Sequence, residues 1–413
     1  MKRQRADGMD GGDLPHDAQA DVTPVGKRPI DARRRRLLAG LAGTLAASAH
    51  AADRPRDTAA APDPVAPAEP PFDEPVRGAA LAFPRDHGAH PGFRTEWWYL
   101  TGWLDAADAA APLGFQITFF RSRLAVGASA ASRFAPRQIV FAHVALSDPA
   151  LGHALHDDRA LRAGFSDVAA SVGDASLALR DWRLARDAAT DRWQARLAAR
   201  DFTLALDFTP TQPPMLQGDA GWSQKSAPVP GRPVSASHYY SLPALGVAGS
   251  VTRDGHERRV TGRAWLDHEW SSQYLAPDAA GWDWTAINFD DGSALMAFRM
   301  RRKGAADDAP ALWAHAGYRA VNAGATTDPG TPRFTPLRVW TSPRTGARYP
   351  VAMTLDIGTR RLTLEPLMND QELDSRRSTG VVYWEGAVRA LEGGKRVGLG
   401  YLELTGYTGA LKL

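Results

Sequence analysis

The sequence predicts an all-β fold made of two β-barrels in tandem. Short apolar runs with a two-residue alternation, such as 114–120 and 201–208, follow one another with turn residues between them. Patterns with the period of an α-helix are scarce. The motif TGWLD at 101–105 returns as TGRAWLD at 261–267. Many short strands at regular spacing indicate barrels or sandwiches, and the returning motif favours two related barrels.

The composition of the chain excludes several kinds of partner and chemistry. The chain has 413 residues, 44% of them hydrophobic, which is enough for two cores. Residues 1–51 hold nine Lys or Arg and six Asp, so the totals of 49 and 46 fall to 40 of each in the remainder. A remainder without net charge argues against nucleic acid as a partner. The absence of cysteine excludes disulfides, thiolate catalysis and Cys-ligated metals.

Residues 1–51 are predicted to be an export signal. A run of four arginines at 33–36 precedes a short apolar stretch from Leu37 to Ala47, and small residues follow it. The stretch is too short to span a bilayer but suits a cleavable signal. The paired arginines before two leucines resemble a twin-arginine signal, with an ordinary signal peptide or a short anchor as the alternatives. We therefore expect a periplasmic or secreted protein.

The first folded domain is expected after an Ala- and Pro-rich linker at 52–80, which should be solvated and extended. We expect the first barrel at 81–245, and its first strand begins at Glu96. Alternation places Glu96 and Trp98 on one face of that strand. It places Trp97, Tyr99 and Trp103 on the other. Both faces are bulky and aromatic, so the strand is expected to line a cavity and to contribute to binding an apolar ligand.

The second barrel is expected at 246–413. Loops rich in Pro and Gly at 209–218 and 227–233 separate it from the first barrel. Asp-Gly pairs at 254–255 and 291–292, each between apolar runs, predict two hairpins in this part of the chain.

The strongest candidate for chemistry is the run Asp267-His268-Glu269, which lies between Trp265 and Trp270. A carboxyl group in an aromatic pocket has its pKa raised by desolvation, as a general acid requires, and a histidine could polarise a bound group. Trp265 and Trp270 would supply apolar contacts to the ligand. The alternative is a buried polar network that braces the domains.

Three further groups are weaker candidates. His87, His90 and Glu96 could in principle ligate a metal, but their spacing matches no metal signature, so we expect no metal or cofactor and a hydrogen-bonded clasp instead. Glu96 remains a lesser acid–base candidate. His238 and Tyr240 could contact the polar end of a ligand. Asp283, between two tryptophans, is a further ligand contact.

Several long motifs together resemble the lipocalin-like AttH family, which shares a superfamily with bacterial carotenoid 1,2-hydratases. They are HPGFRTEWWYLTGWL, SHYYSLPALGVAGSV, GRAWLDHEWSSQ, GWDWTAINFDDGSALMAFRMRR and GLGYLELTGY. The resemblance covers most of residues 81–410 and implies two lipocalin-like barrels. In the hydratase branch a His-x-Trp pair precedes a Tyr-x-Asp pair whose aspartate protonates an isoprenoid double bond. His268 and Trp270 match the first pair, whereas Leu295 and Ala297 occupy the places of the second.

The sequence thus favours an exported protein that binds an apolar or amphiphilic small molecule, such as a lipid or isoprenoid. One alternative is a hydro-lyase or hydrolase that acts on that ligand through the Asp267–Glu269 run; Asp267, Glu269 or Asp283 would then replace the missing acid. Another is a non-enzymatic accessory of an envelope lipid transporter, which would work at a membrane surface.

Overall fold

The computed structural model describes residues 72–107, 111–124, 137–164 and 167–411. The predicted export signal and the linker as far as residue 71 lie outside these ranges. The described residues form two antiparallel sheets, which confirms the all-β prediction. A single 3-10 turn at Arg85–His87 precedes the first strand. No helix in the described ranges reaches the length and apolarity that crossing a membrane requires.

The first sheet contains the first thirteen strands of the described chain. They are β1 Thr95–Ala106, β2 Leu113–Arg123, β3 Gln138–Ser147, β4 Ala154–Arg162, β5 Val168–Ala170, β6 Ser176–Leu179, β7 Trp182–Asp187, β8 Arg192–Ala198, β9 Phe202–Thr209, β10 Met215–Leu216, β11 Trp222–Gln224, β12 Ala236–Arg253 and β13 His256–Gln273. Their order is β4-β3-β2-β1-β13-β12-β9-β8-β7-β6-β5, with β10 and β11 paired to β12, and the sheet forms a nearly closed barrel.

The second sheet contains the nine strands that follow in the described chain. They are β14 Ala279–Phe289, β15 Ala294–Arg302, β16 Trp313–Arg319, β17 Arg333–Thr341, β18 Arg348–Ile357, β19 Arg360–Pro366, β20 Glu372–Ser375, β21 Val381–Glu392 and β22 Lys395–Leu404. Their order is β16-β15-β14-β22-β21-β19-β18-β17, with β20 paired to β21. This sheet forms a half-barrel, so the two sheets differ in closure.

The sheets change later in the chain than the boundary expected at 245/246. That position falls inside β12, and both β12 and β13 belong to the first sheet. The change occurs between Gln273 and Ala279. The loops at 209–218 and 227–233 resembled a linker because they are rich in Pro and Gly, but they connect strands of one barrel.

The repeated motif TGWLD/TGRAWLD does not correspond to two related barrels, as the sequence analysis suggested. TGWLD lies on β1 and TGRAWLD on β13, and these strands are antiparallel neighbours in the first sheet. Leu100 faces Leu266 and Thr101 faces Trp265 across the ladder. The similarity therefore relates two adjacent strands of one barrel, and it does not mark two barrels.

The described end of the predicted linker packs on the first barrel. The backbone N–H of Asp73 donates to Gly92 O at 3.0 Å, and Ser272 Oγ donates to Asp73 O at 2.5 Å. The ring of Phe72 lies under two guanidinium groups, those of Arg94 at 4.5 Å and Arg123 at 4.8 Å. Packing on the barrel thus already includes Phe72 and Asp73, whereas the sequence analysis expected the folded part to begin at residue 81.

Three large apolar layers and one small cluster hold the described part of the fold together. One fills the first barrel and includes Trp98, Leu100 and Leu266. A second fills the half-barrel. The third lies between the outer faces of the two sheets and includes Tyr99 and Trp284. Because β1 is buried on both faces, its alternating residues divide between the first layer and the third, which explains its unusual aromatic content.

Candidate active site between the two sheets

Strand alternation separates the three residues of the Asp267–Glu269 run. Asp267 and Glu269 point from β13 toward the second sheet, where Asp267 lies opposite Tyr99 and Glu269 opposite Trp97 on β1. His268 points into the first barrel, opposite Trp98. Neighbours on a strand face opposite sides of a sheet, so one run of sequence supplies two different polar sites.

A cavity of about 80 Å³ lies where Asp267 and Glu269 meet the second sheet; we call it the seam cavity. Its aromatic walls are formed by Trp97, Tyr99, Phe120, Tyr239, Tyr274, Trp282 and Trp284. Four carboxyl groups, those of Asp267, Glu269, Glu385 and Glu403, also line it. Both sheets contribute to the cavity, since β1, β2, β12 and β13 form one side and β14, β21 and β22 the other.

Asp267 is 2% exposed and accepts two hydrogen bonds on one carboxyl oxygen. Ser241 Oγ donates at 2.6 Å and Trp265 Nε1 at 2.7 Å. Burial raises the pKa of Asp267 to about 7, although these hydrogen bonds work in the opposite direction. The group can therefore hold a proton at neutral pH, as the sequence expectation of a general acid requires.

Glu269 is the cavity carboxylate with a cationic partner. Lys225 Nζ lies 2.7 Å from Glu269 Oε1, and Ser237 Oγ donates to the same oxygen. Burial raises the pKa of Glu269, and the charge of Lys225 counteracts that rise. The side chain of Lys225 is only 1% exposed. Burial disfavours its charged form too, and for a base this lowers the pKa.

Glu385 and Glu403 face the same cavity from the second sheet. They lie directly opposite each other on β21 and β22. Burial, reinforced by the neighbouring carboxylates, raises the pKa of Glu403 to about 8 and the pKa of Glu385 well above its ordinary value. Glu385 Oε2 and the hydroxyls of Tyr99 and Tyr401 are buried without a hydrogen-bond partner among the described residues.

His268 and Glu96 lie together on the other side of β13, inside the first barrel. Glu96 is 0% exposed, and its Oε1 lies 2.7 Å from His90 Nδ1 and 3.0 Å from His268 Nε2. Arg121 Nε donates to Oε2 at 2.8 Å. Arg121 also donates to His90 O and thereby ties the loop that carries His90 to β2. This is the hydrogen-bonded clasp that the sequence analysis weighed against a metal site.

The histidines of this clasp respond differently to their surroundings. Burial alone would lower the pKa of His90, but hydrogen bonds with Asp86 and Glu96 outweigh it and raise the pKa. Burial lowers the pKa of His268, with partial compensation from Glu96. One ligand atom from each of His90, Glu96 and His268 lies within 4.8 Å of the others, so among the described residues these three could hold a metal ion. In this arrangement the same atoms are already hydrogen-bonded to one another or to Arg121.

The remaining aromatic candidates lie on the side of the sheet that carries the clasp. Trp98 stacks on His268 with ring centroids 4.4 Å apart, and Trp270 stacks on His90 at 3.8 Å. Tyr240 OH lies 2.7 Å from His87 Nδ1, so it also belongs to the barrel interior. His238 accepts a hydrogen bond from the backbone of Val76. These side chains pack around the clasp and line no part of the seam cavity.

Three other candidates have structural partners. Trp103 Nε1 donates to Gly400 O at 2.9 Å and thereby joins the two sheets. Trp265 contacts the cavity carboxyl Asp267, as described above. Asp283 is 0% exposed and accepts a hydrogen bond from Arg299 Nε at 2.7 Å on the half-barrel side. It is thus an ion-pair partner on the face of β14 opposite the cavity-lining Trp282 and Trp284.

The sequence analysis missed Lys225, Glu385, Glu403 and Tyr274. A signal for the two glutamates existed, because each lies within an apolar stretch of its strand, in which a charge is costly to bury. Glu403 even lies within GLGYLELTGY, which carried the family resemblance. The positions of Lys225 and Tyr274 in loops gave no comparable signal.

Comparison with known proteins identifies similar folds. A family model described as AttH-like matches residues 74–407. The crystal structure of a Nitrosomonas europaea protein named as an AttH is 49% identical, with a TM-score of 0.73 over 81% of this chain and 100% of that one. Kievitone hydratase from Nectria haematococca is 14% identical, with a TM-score of 0.58 over 83% of this chain and 98% of that one. No curated protein sequence matches the chain.

Proposed function

The chain belongs to the AttH-like family, and from this premise we propose that it is an acid–base enzyme of the hydro-lyase type. Its active site would be the seam cavity, and its substrate an apolar or amphiphilic small molecule. The proposal combines the ligand-binding and hydro-lyase expectations of the sequence in one site. It leaves Glu96 and His268 outside the chemistry, because they lie within the first barrel.

One observation supports the proposal above all. Carboxyl groups from the two sheets face each other across an aromatic cavity, and burial raises the pKa of each of them. Adding water to a carbon–carbon double bond requires a proton donor on one side and a proton acceptor for the attacking water. A buried protonated carboxyl group can donate at neutral pH, and a neighbouring carboxylate can accept. The hydratase with a similar fold is consistent with this class of reaction.

The roles of the cavity carboxyls follow from their partners. Asp267 or Glu403 would donate a proton to one carbon of the double bond. Glu269 would accept the proton of the water whose oxygen bonds to the other carbon, since Lys225 favours its charged form. One proton is thus lost and one gained by the protein in each turnover, and the reverse sequence eliminates water. The aromatic walls would hold the apolar part of the substrate.

A panel of short isoprenoids and prenylated phenols tests the activity. We expect mass spectrometry to detect a product that contains oxygen from isotopically labelled water. Asp267→Asn should lower the rate at least about 100-fold, the usual contribution of a general acid. Asp356→Asn, at a half-buried aspartate paired with Arg361 in the half-barrel, is the matched control and should leave the rate unchanged. Equal rates for the two variants on any substrate that turns over would refute the assignment of Asp267.

A further inference from the structure

The carboxyl groups of the seam cavity outnumber the cations that could balance them. Among the described residues, Glu269 pairs with Lys225, whereas Asp267, Glu385 and Glu403 form no ion pair with a lysine, arginine or histidine. Glu385 is 3% exposed, and its Oε2 is buried without a hydrogen-bond partner. An unpaired buried acceptor is costly, so a ligand that supplies positive charge or a donor would relieve it.

The walls of the cavity have the second property that organic cations require. The rings of Trp97 and Tyr274 meet edge to face at 4.9 Å, and those of Tyr274 and Trp282 at 5.3 Å. Across the cavity, Tyr99 and Trp284 are arranged in the same way at 5.4 Å. Rings at right angles form the corners of a box. The face of an aromatic ring attracts a cation through its quadrupole, and tryptophan does so most strongly.

The protein already holds one ammonium group in this manner. Lys225 Nζ lies 4.2 Å from the ring centre of Phe298, 4.9 Å from that of Tyr239 and 5.1 Å from that of Tyr274. Its carboxylate partner is Glu269. Tyr239, Tyr274 and Glu269 also line the seam cavity. The combination of aromatic rings and a carboxylate that stabilises Lys225 therefore continues into the cavity beside it, where no side chain of the described residues supplies a cation.

We propose that the seam cavity recognises an organic cation, so that the substrate class is an amphiphile with an amine or quaternary ammonium group. The aromatic box would enclose the methyl or methylene groups around the nitrogen. Burial favours the protonated forms of Glu385 and Glu403 without a cation, so one of them would release its proton to solvent as the cation enters and would then provide the opposite charge. An anionic ligand is disfavoured by four carboxyl groups around one cavity. The inference concerns the same cavity as the proposed function. It rests on that function only where it calls the cation a substrate, because binding of a cation does not require turnover.

The test compares choline with 3,3-dimethylbutan-1-ol, which has nearly the same shape but no charge. Binding to the full chain is measured by calorimetry and by quenching of tryptophan fluorescence. We expect choline to bind at least about tenfold more tightly than the alcohol, as a desolvated cation in an aromatic box should. Glu385→Gln, which keeps the shape of the side chain, should reduce this ratio several-fold. Glu403→Gln provides an independent second variant.

Glu365→Gln is the matched control, because Glu365 is an exposed glutamate of the half-barrel that pairs with Arg338. Its ratio should equal that of the parent protein. Equal binding of choline and the alcohol, binding of neither, or a ratio unchanged by both cavity variants would overturn the inference. Water addition is measured with other compounds, so its outcome is separate. Choline binding without water addition would leave a cation site and refute only the hydro-lyase proposal.

Discussion

Asp267 and His268 are adjacent residues with opposite surroundings. Asp267 lies beside three other carboxyls in the seam cavity, whereas His268 lies among the aromatic rings and the carboxylate of the barrel interior. Burial has opposite consequences for the two groups, since it raises the pKa of the acid and lowers that of the base. Both shifts favour the neutral form. The chemistry of the run therefore depends on which face each side chain occupies, and the identity of the residues alone does not decide it.

The raised pKa of Asp267 makes the stability of the protein depend on pH. An aspartate with a pKa near 4 in the unfolded chain and about 7 in the fold disfavours folding progressively as the pH rises from about 4 to 7. The loss is on the order of 4 kcal/mol. Asp267→Asn removes this titration and keeps the side-chain oxygen that accepts from Ser241 and Trp265.

Urea unfolding at several pH values checks this expectation. The free energy of unfolding of Asp267→Asn, relative to the parent protein, should increase from pH 4 to pH 7 and then stay constant. Asp356→Asn serves as the control and should show no increase toward pH 7, because the hydrogen bond from Arg361 lowers the pKa of Asp356 instead of raising it. A difference between Asp267→Asn and the parent that does not change with pH would show that Asp267 keeps an ordinary pKa.

At the scale of elements, the loop from Pro84 to Gly92 is held by one side chain, that of Glu96, at several points. Glu96, at the start of β1, accepts hydrogen bonds from the backbone and ring of His90 and from Arg121. Asp86 and His268 extend the same network. The loop also packs through Ala89 and through the stacking of His90 on Trp270, and the polar clasp adds partners from β1, β2 and β13.

Glu96→Gln should therefore destabilise the protein without altering the seam cavity. It leaves Arg121 buried without its anionic partner, which typically costs about 3 kcal/mol. Chemical unfolding measures the loss, and limited proteolysis at the loop should become faster. Glu257→Gln, an exposed glutamate of β13, should change stability by less than about 0.5 kcal/mol. A variant of full stability that has lost only its activity would instead place Glu96 in the chemistry.

Periodicity predicted the strands and the two-faced character of β1, because alternation is a property of each strand by itself. It also separated Asp267 and Glu269 from His268. It could not show which strands become neighbours, since pairing depends on contacts distant in sequence. The same limit explains why the change of sheet near residue 274 could not be read from the sequence. It also explains why Glu385 and Glu403 were missed, since they reach the cavity only through the packing of the second sheet on the first.

At the scale of the molecule, the site depends on the outer faces of two sheets. Trp284 Nε1 donates to Tyr239 OH at 3.0 Å, and Trp103 Nε1 donates to Gly400 O at 2.9 Å. These two hydrogen bonds join the sheets. Neither sheet holds all four carboxyls. A cavity formed in this way can exist only when both sheets are complete.

The position of the sheet change predicts which truncated chains can fold. A fragment that spans residues 72–274 keeps every strand of the first sheet, whereas one that spans 72–245 loses β13 and half of β12. Without β13, the central strand β1 becomes an edge with a row of unpaired N–H and C=O groups. We expect the longer fragment to unfold cooperatively on heating, as followed by circular dichroism, and the shorter one to show no transition.

The longer fragment should also be less soluble than the full chain, because it exposes the aromatic face that the second sheet covers. Lys substitution of Trp103, which lies on this face, should improve its solubility but weaken the full chain, in which the same residue donates to Gly400. Cooperative unfolding of the fragment that ends at 245 would mean that the first barrel closes without β13. The paired strands β1 and β13 could then not be the framework on which the seam cavity is built.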